Sequence, residues 1–293
     1  MISLVICSRS PVYLRELIEN IEATIGIPYE LLAIDNRPNP KGIAEVYNEA
    51  AGKAQHEIIC FLHEDILIHT IGWGKVLTET LAEESIGLVG ISGAVYKSKY
   101  PATWSACDSN FYRTHSIQHF KNKEKAVVSN NNPLNKKLAE VVVIDGVFMA
   151  TTKKIFKQFQ FDEKLLPGFH GYDLDYSLQV GTHYKVVVNY EILLEHFSEG
   201  NLSQAWLKDS IAVHHKFKNI LPCSLPGINK FLIKKSDFHS LQCVLNIAFE
   251  SKGNAKLILN HYFKMNTLYF SFAKFAYSRK LITYMLKNLL PIL

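Results

Sequence analysis

The sequence lacks several features that would place it in common protein classes. None of its uncharged apolar stretches approaches the roughly 20 residues that a helix needs to cross a bilayer. Its five cysteines include no C-x-x-C pair, which favours free thiols in a reducing compartment over a zinc site or a disulfide framework. No basic segment precedes the apolar run MISLVIC, so we expect no signal peptide. These absences predict a cytoplasmic protein.

What the sequence does contain is the composition of an ordinary globular protein. Of its 293 residues, 48% are hydrophobic and 20% are charged, which suffices for one large α/β domain with an appendage. The charge is unevenly distributed, because residues 201–293 hold 13 Lys and Arg against 3 Asp and Glu. The preceding residues are acidic in balance. This split predicts an enzyme body with a basic C-terminal part that meets something anionic.

The first 91 residues alternate between strand and helix patterns. Short apolar runs predict strands, and longer amphipathic stretches predict helices between them. The predicted strands are Ile2–Cys7, Tyr29–Asp35, Glu57–Leu62 and Ile86–Ile91, and the predicted helices are Pro11–Thr24, Gly42–Ala54 and Ile71–Glu83. Strands that alternate with helices of this length imply an α/β fold, with a mostly parallel sheet flanked by helices.

Residues 96–138 interrupt this alternation. They are polar and contain Pro101 and Pro133, so we interpret them as a long, partly mobile excursion over the active-site side. Regular patterns then return, with predicted strands at Glu140–Ile144 and Lys185–Asn189 and helices at Lys153–Phe159 and Asp173–Val180. Beyond residue 203 the sequence is helical, aromatic and basic. It therefore predicts a catalytic domain over 1–203 and an α-helical extension over 204–293.

Polar residues follow the predicted strands at the points where an open sheet binds its ligands. They are Ser8 and Arg9, then Asp35 and Asn36, then His63, Glu64 and Asp65, and later Asp145 and Gly146. A histidine beside carboxylates can hold a divalent cation that neutralises a diphosphate, although the same tripeptide is typical of a solvated turn.

Three further positions allow both a chemical and a structural interpretation. Asp35 can accept hydrogen bonds from a ribose or a base, or it can form a turn. His196 is a candidate metal ligand or a buried structural histidine. In the segment Gly171–Asp175, Asp173 and Asp175 begin a helix, where they are either plain capping residues or include the base that deprotonates an attacking hydroxyl.

Taken in order, these segments resemble the GT-A fold glycosyltransferases of family 2, over roughly residues 1–203. The run FLHED resembles the family's metal motif flDaD, with His63 in place of the first aspartate and Asp65 at the last. Gly72-Trp73 and the later IGLVG resemble its pgW…igvvG stretch. These matches imply the GT-A fold, which is Rossmann-like.

Later segments extend the resemblance. VIDGVFM resembles the family's vdGa.m, and Phe161–Glu163 resembles its FDe. GYDLD resembles gEDlD, with Tyr172 in place of the usual glutamate and Asp173 at the catalytic base. EHFSEG, which contains His196, resembles the late histidine segment of the family's glycosyltransferase-like branch.

The resemblance implies an inverting, metal-dependent transfer of a sugar from a nucleotide-diphosphate sugar. It implies Asp173 as the base and Mn²⁺ or Mg²⁺ held by Asp65, His196 and His63. The remaining candidates divide into donor-nucleotide contacts at Ser8, Arg9, Asp35 and Asn36, and sugar or acceptor contacts at Glu64, Asp145, Gly146, Tyr172 and Asp175. The expected acceptor is a glycan or a polyprenyl-linked sugar in surface polysaccharide synthesis.

The basic C-terminal part has two compatible interpretations. Apolar residues recur there at near-helical spacing among lysines and one arginine; they are Leu268, Phe272, Phe275, Ile282, Met285 and Leu289. In one interpretation they form a helical cap on the catalytic domain. In the other they contact anionic lipid at the inner face of the cell membrane, where a polyprenyl-linked acceptor would reside.

Two other function classes stay open. A sugar nucleotidyltransferase would share the sheet architecture, but it usually needs a glycine-rich phosphate loop where this sequence reads CSRSPVY. The second class is an inactive binding module with the same fold, which the loss of the first aspartate of the metal motif, replaced by His63, would allow. Nucleic acid is not an expected partner, because the aromatic residues of the tail recur at helical spacing and not on a strand platform.

Overall fold

A computed structural model describes residues 1–250, 255–268 and 278–283. The strands are β1 (Ile2–Ser8), β2 (Tyr29–Asp35), β3 (Ile58–Leu62), β4 (Ile66–Ile68), β5 (Ile86–Gly90), β6 (Ser92–Ala94), β7 (Tyr96–Lys97), β8 (Tyr112–Gln118), β9 (Val127–Asn131), β10 (Leu138–Val141), β11 (Val143–Ile144), β12 (Phe148–Thr152), β13 (Lys185–Asn189), β14 (Leu194–His196) and β15 (Cys223–Ser224). The α-helices are α1 (Pro11–Thr24), α2 (Ile43–Lys53), α3 (Trp73–Leu81), α4 (Lys153–Gln158), α5 (Tyr172–Val180), α6 (Gln204–Lys216), α7 (Lys230–Glu250) and α8 (Ala255–Leu268), and residues 278–283 are also helical.

A seven-stranded sheet in the order β10-β13-β5-β12-β3-β1-β2 forms the centre of the fold. Strand β1 pairs in parallel with both β2 and β3, so their carboxyl ends meet at one edge. Strand β12 runs antiparallel to β3, with Phe148 opposite Leu62. Because β12 begins where β3 ends, the segment before β12 lies beside the segment after β3. This pairing brings Asp145 and Gly146 to the edge where His63 lies.

The strands predicted before residue 92 and the helices predicted before residue 181 are present, and their observed ends differ from the predicted ends by at most two residues. Helix α1 begins after Ser10, whose hydroxyl accepts a hydrogen bond from the Tyr13 N–H at 3.4 Å, and Pro11 occupies its first turn. The sheet itself is mixed, because β12 and β10 run against their neighbours.

A second sheet, in the order β11-β6-β8-β14-β4 with β9 paired to β8, stands over that edge. The segment 96–138, predicted as a partly mobile excursion, supplies β8 and β9 to this sheet and β7 to a two-stranded sheet with β15. The segment does lie over the active-site side, as predicted, since Trp104, Tyr112 and Thr114 face the cavity there. The sequence did not predict its strands, because the buried side chains of β8 are the small hydroxyl residues Thr114 and Ser116, which give no apolar alternation. The single strand predicted at 140–144 is also divided between the two sheets, as β10 and β11.

The C-terminal helices pack against the enzyme body. A cluster of buried apolar side chains joins α6, α7 and α8 to residues Tyr100 and Ala102. The carboxylate of Asp237 on α7 accepts hydrogen bonds from the hydroxyls of Tyr96 and Ser98, both at 2.6 Å. The described part of the extension is thus a helical cap, while the domain boundary near residue 203 stays a prediction.

Much of the predicted membrane-contact pattern lies outside the described residues, namely Phe272, Phe275, Met285 and Leu289. Within the described ranges, no helix combines the length and the apolar character needed to span a bilayer.

Candidate functional site

A cavity of about 760 Å³ lies between the second sheet and the edge of the central sheet. Its walls come from β8, β14, the loop after β14 and the first turn of α5. Six of the predicted site residues line it, and they are His63, Asp145, Gly146, Tyr172, Asp173 and His196. The predicted nucleotide contacts do not line this cavity, although they lie at the adjoining edge of the central sheet, where Ser8 pairs with Asp35.

Three potential metal ligands converge beside this cavity. One atom each from His63, Asp65 and His196 lies within 4.8 Å of the others, and no other such group occurs within the described residues. Strand pairing assembles the group, since β14 runs antiparallel to β4 with His196 opposite Ile66. The backbone N–H of Phe197 also donates to the carbonyl of Asp65 at 3.0 Å.

The hydrogen bonds of Gln118 fix the tautomer of His196. The Gln118 amide nitrogen donates to the carbonyls of Ser198, at 2.7 Å, and His119, at 2.8 Å. Its carbonyl oxygen therefore faces Nδ1 of His196 at 3.0 Å, which requires a hydrogen on that nitrogen. The Nε2 of His196 is buried without a hydrogen-bond partner and lies 3.6 Å from Oδ1 of Asp65. The Nε2 atom of His196 is thus the ring nitrogen that faces Asp65 and is available to a ligand.

Tyr172 fixes His63 in the same way. The Tyr172 hydroxyl lies 2.7 Å from Nε2 of His63 and 3.3 Å from the carbonyl of Gly146, and when it donates to that carbonyl it accepts from Nε2. The Nδ1 of His63 then carries the lone pair, 3.9 Å from Oδ1 of Asp65. Burial and the neighbouring His196 lower the pKa of His63, which favours the neutral imidazole.

Three electron-pair donors therefore face one another in a confined space. Burial raises the pKa of Asp65, but the neighbouring Ser198 side chain and the two histidines outweigh that effect and hold the pKa well below its usual range. An ionised carboxylate and two imidazole lone pairs repel one another unless a cation lies between them. The donor set thus fits a divalent metal ion.

Asp173 is the titratable group of the cavity best suited to act as a base. It lies in the first turn of α5, after Gly171, whose φ of 78° is a conformation that favours glycine. Burial, followed by the charge of Asp145, raises the pKa of Asp173 to about 7, against the opposing effect of nearby backbone N–H groups. A carboxylate with a pKa near neutrality is matched to general-base catalysis.

Asp145 is held in place beside Asp173. One of its oxygens accepts from the indole N–H of Trp104 at 2.5 Å, and the other accepts from the backbone N–H of Val147 at 2.9 Å. The rings of Trp104 and Tyr112 meet edge to face, with centroids 5.7 Å apart, and both line the cavity. Sequence reasoning missed Trp104 and Gln118; a lone tryptophan in a polar segment was the one available signal.

Two predicted sugar or acceptor contacts have structural partners instead. The Glu64 carboxylate accepts from the Ser8 hydroxyl at 2.7 Å and from the backbone N–H groups of Arg9 and Ser10 at 3.0 and 2.9 Å. It thereby holds the turn between β1 and α1. Asp175 is fully buried and accepts from Lys216 and from Gln179, both at 2.6 Å, so it faces α6 and not the cavity.

The predicted nucleotide contacts differ in exposure. Asp35 is exposed and paired with Arg37, whose hydrogen bonds lower the pKa of Asp35 to about 2. Asn36 is buried, and its side chain exchanges hydrogen bonds with the backbone of Lys41 at 2.8 and 2.9 Å. Arg9 lies over the ring of Phe169 at 5.7 Å. Asp35 and Arg9 are therefore open to a ligand at this edge, whereas Asn36 shapes the loop.

Comparisons with known proteins agree with this architecture. A family model described as "Glycosyltransferase like family" matches residues 3–216. The crystal structure of GalNAc-T7 with UDP, GalNAc and Mn²⁺ is 12% identical with a TM-score of 0.52, covering 73% of this chain and 47% of that one. The mannosyltransferase PcManGT from Pyrobaculum calidifontis, in complex with GDP-Man and Mn²⁺, is 12% identical with a TM-score of 0.50, covering 98% of this chain and 86% of that one.

The chain thus spans about half the length of the GalNAc-T7 chain. No curated protein matches the chain in sequence. At these identities the structural likeness shows the fold alone, and it confirms the predicted GT-A fold class.

Proposed function

The chain belongs to this glycosyltransferase-like family, and we propose that it transfers a sugar from a nucleotide-diphosphate sugar to an acceptor hydroxyl bound in the cavity. The observation that carries the proposal is the position of Asp173. Its carboxylate, with a pKa of about 7, lines the same cavity as His63 and His196 of the metal-ligand cluster. This arrangement supports a displacement reaction in which the base acts close to the departing diphosphate.

His63, Asp65 and His196 would hold the divalent ion. The crystal structures of GalNAc-T7 and PcManGT contain Mn²⁺, and the convergent donors described above support a metal in this chain. When bound, such an ion acts as a Lewis acid that neutralises the charge of the diphosphate leaving group. The exposed Asp35 and the backbone near Ser8 and Arg9 would contact the nucleoside at the adjoining sheet edge.

Asp173 would remove the proton from the acceptor hydroxyl while that oxygen attacks the anomeric carbon. The bond to the nucleoside diphosphate breaks as the new glycosidic bond forms, which inverts the anomeric configuration. Asp145 lies beside the base, and its charge contributes to raising the pKa of Asp173 toward the working pH.

The cavity favours a sugar as the acceptor. Its walls combine the indole of Trp104 and the phenol ring of Tyr112 with the hydroxyls of Thr114, Ser116 and Ser129. Aromatic faces and hydroxyl hydrogen bonds suit the mixed surface of a carbohydrate. A glycan or a polyprenyl-linked sugar in surface polysaccharide synthesis would supply such a group.

A peripheral contact with anionic lipid is part of this proposal. It is supported by the excess of Lys and Arg after residue 200 and by the exposed rings of Phe231 and Phe263 on α7 and α8. Such a contact would bring a lipid-linked acceptor to the enzyme at the inner face of the cell membrane.

A panel of UDP-, GDP-, dTDP- and CMP-sugars in a thermal-shift assay tests the donor class. We expect one nucleotide to raise the Tm only when Mn²⁺ is present, and we expect Asp65→Ala to abolish that rise. A panel without any shift would favour an inactive binding module, the alternative suggested by His63 in the metal motif.

A further inference from the structure

Acidic side chains dominate the charge of the cavity lining. Asp145 and Asp173 both line the cavity, and burial, followed by the charge of Asp145, raises the pKa of Asp173 to about 7. Glu199, in the loop after β14, adds a third carboxyl group to the lining. Charges interact more strongly in a space that is partly closed to water than in bulk water. A negatively charged group of a ligand is therefore repelled from this cavity.

The lining offers little positive charge to balance these carboxyl groups. The described part of the chain contributes no Lys or Arg to it, and its only histidine outside the metal-ligand cluster is His170, whose pKa is lowered by burial. Two exposed cations approach rings of the lining, where Arg9 lies over Phe169 and Lys123 lies over Phe120. Water screens such exposed charges. In the proposed donor complex the diphosphate matches the charge of the divalent ion, so the carboxyl groups stay uncompensated.

Asp145 also has hydrogen-bonding capacity left for a ligand. Its two oxygens accept from the indole N–H of Trp104 and from the backbone N–H of Val147. A carboxylate offers about four acceptor positions, so positions of Asp145 remain for donors in the cavity. The hydroxyl groups of a sugar can donate to them. The carboxylate of an acidic sugar cannot, because it has only acceptor atoms.

We propose that the acceptor sugar bound in the cavity carries no negative charge, and that acidic sugars such as uronic acids are excluded from it. Asp145 is the residue that sets this specificity, together with the charges of Asp173 and Glu199. The inference rests on the proposed function, because it concerns the acceptor of the transfer. It goes beyond a general preference for sugars, since the aromatic rings and hydroxyls of the cavity alone would suit neutral and acidic sugars equally.

A glycan array that pairs each neutral terminal hexose with the corresponding uronic acid tests the selectivity. The two members of a pair differ only in whether the last carbon of the hexose is a hydroxymethyl group or a carboxylate. The labelled full chain is applied to the array in the presence of Mn²⁺. We expect it to bind glycans with a neutral terminal hexose, and to bind their acidic counterparts at least about tenfold more weakly.

Strand β9 provides a matched pair of variants. Val127 lines the cavity, whereas its neighbour Val128 is 68% exposed and lies on the opposite face of the strand. Val127→Lys adds a cation to the cavity wall, so it should reduce the penalty for uronic acids by at least about threefold. Val128→Lys adds the same charge to the same strand outside the cavity, so the wild-type ratio should persist. An unchanged ratio in Val127→Lys, with both variants folded, would overturn the electrostatic cause.

The possible failures are distinguishable from one another. If acidic glycans bind as tightly as their neutral partners, the selectivity is overturned and the transferase proposal stands. If no glycan binds although a nucleotide sugar with Mn²⁺ raises the Tm, the acceptor assignment of the cavity is overturned and the donor site stands. If no nucleotide sugar raises the Tm, the transferase proposal is overturned, and this inference with it.

Discussion

The imidazole of His63 and the phenol of Tyr172 are hydrogen-bonded at 2.7 Å, which joins the end of β3 to the first turn of α5. These positions are the two at which the sequence departs from the family motifs that it otherwise resembles. The departures are thus one connected feature, and Tyr172 directly precedes the proposed base Asp173. The hydrogen bond links the metal-ligand cluster to the catalytic helix.

The pH dependence of the reaction should follow the ionisation of Asp173. A base must be deprotonated, and the pKa of Asp173 is about 7, so kcat/KM should rise with pH and level off above about 7. The charge of Asp145 is one cause of that raised pKa, so Asp145→Asn should move the midpoint to lower pH. Initial rates between pH 5 and 9 measure this, and an unmoved or higher midpoint in Asp145→Asn would refute the assignment.

Gly146→Ala should be destabilising. A Cβ atom at this position would collide with the Tyr172 hydroxyl and ring, so we expect a loss of about 1–3 kcal/mol in the free energy of unfolding. The control is Gly52→Ala in α2, where a Cβ meets no atom within 4 Å and the change should be neutral or stabilising. Denaturant titration gives the free energy of unfolding of both variants. Equal free energies for Gly146→Ala and Gly52→Ala would show that the contact between Gly146 and Tyr172 leaves room for a methyl group.

Trp104 should affect the acceptor more than the donor. Trp104→Ala removes an aromatic wall of the cavity and the hydrogen bond to Asp145, so the KM for the acceptor should rise roughly tenfold. Trp104→Phe keeps an aromatic ring, so its KM for the acceptor should lie between the values of Trp104→Ala and the wild type. Steady-state kinetics with each substrate varied in turn separates the KM of the acceptor from the KM of the donor. A rise confined to the KM of the donor would place Trp104 in the donor subsite and contradict the prediction.

Lys216→Met should destabilise the protein through a buried charge. Lys216 pairs at 2.6 Å with Asp175, whose side chain is fully buried, and removal of one partner of such a pair costs about 3–5 kcal/mol. Lys137→Met breaks an exposed pair with Glu191 at 2.6 Å and should cost less than about 1 kcal/mol. If unfolding curves of the two variants coincide, the buried pair does not carry the stability assigned to it.

The main layer of the fold was predictable because its strands are runs of apolar residues and its helices carry clear signals such as Ser10-Pro11. The second sheet was not, since β8 buries hydroxyl residues and β14 has three residues. The pairing of β14 with β8 brings Gln118 to His196, although the two residues are 78 positions apart in the sequence. A local sequence pattern cannot predict a contact between residues so far apart.

Within the site, the sequence identified the right segments but not which side chains face the cavity. In the bend between β3 and β4, His63 and Asp65 point to the metal-ligand cluster while Glu64 points to the turn after β1. Side chains that are two positions apart on a helix lie on different faces. Asp173 therefore faces the cavity, while Asp175 lies beside α6. These orientations depend on what each element packs against.

The most direct test of the central claim is the rate at which nucleoside diphosphate is released in the presence of Mn²⁺. The donor is the nucleotide sugar that raises the Tm in the thermal-shift panel, and the proteins compared are the wild type, Asp173→Asn and Asp162→Asn. Asp162 is the partly exposed second partner of Lys216, which makes it a matched control outside the cavity. We predict that Asp173→Asn loses at least about 100-fold in rate, while Asp162→Asn stays near wild type. Release by Asp173→Asn at the wild-type rate would contradict the account.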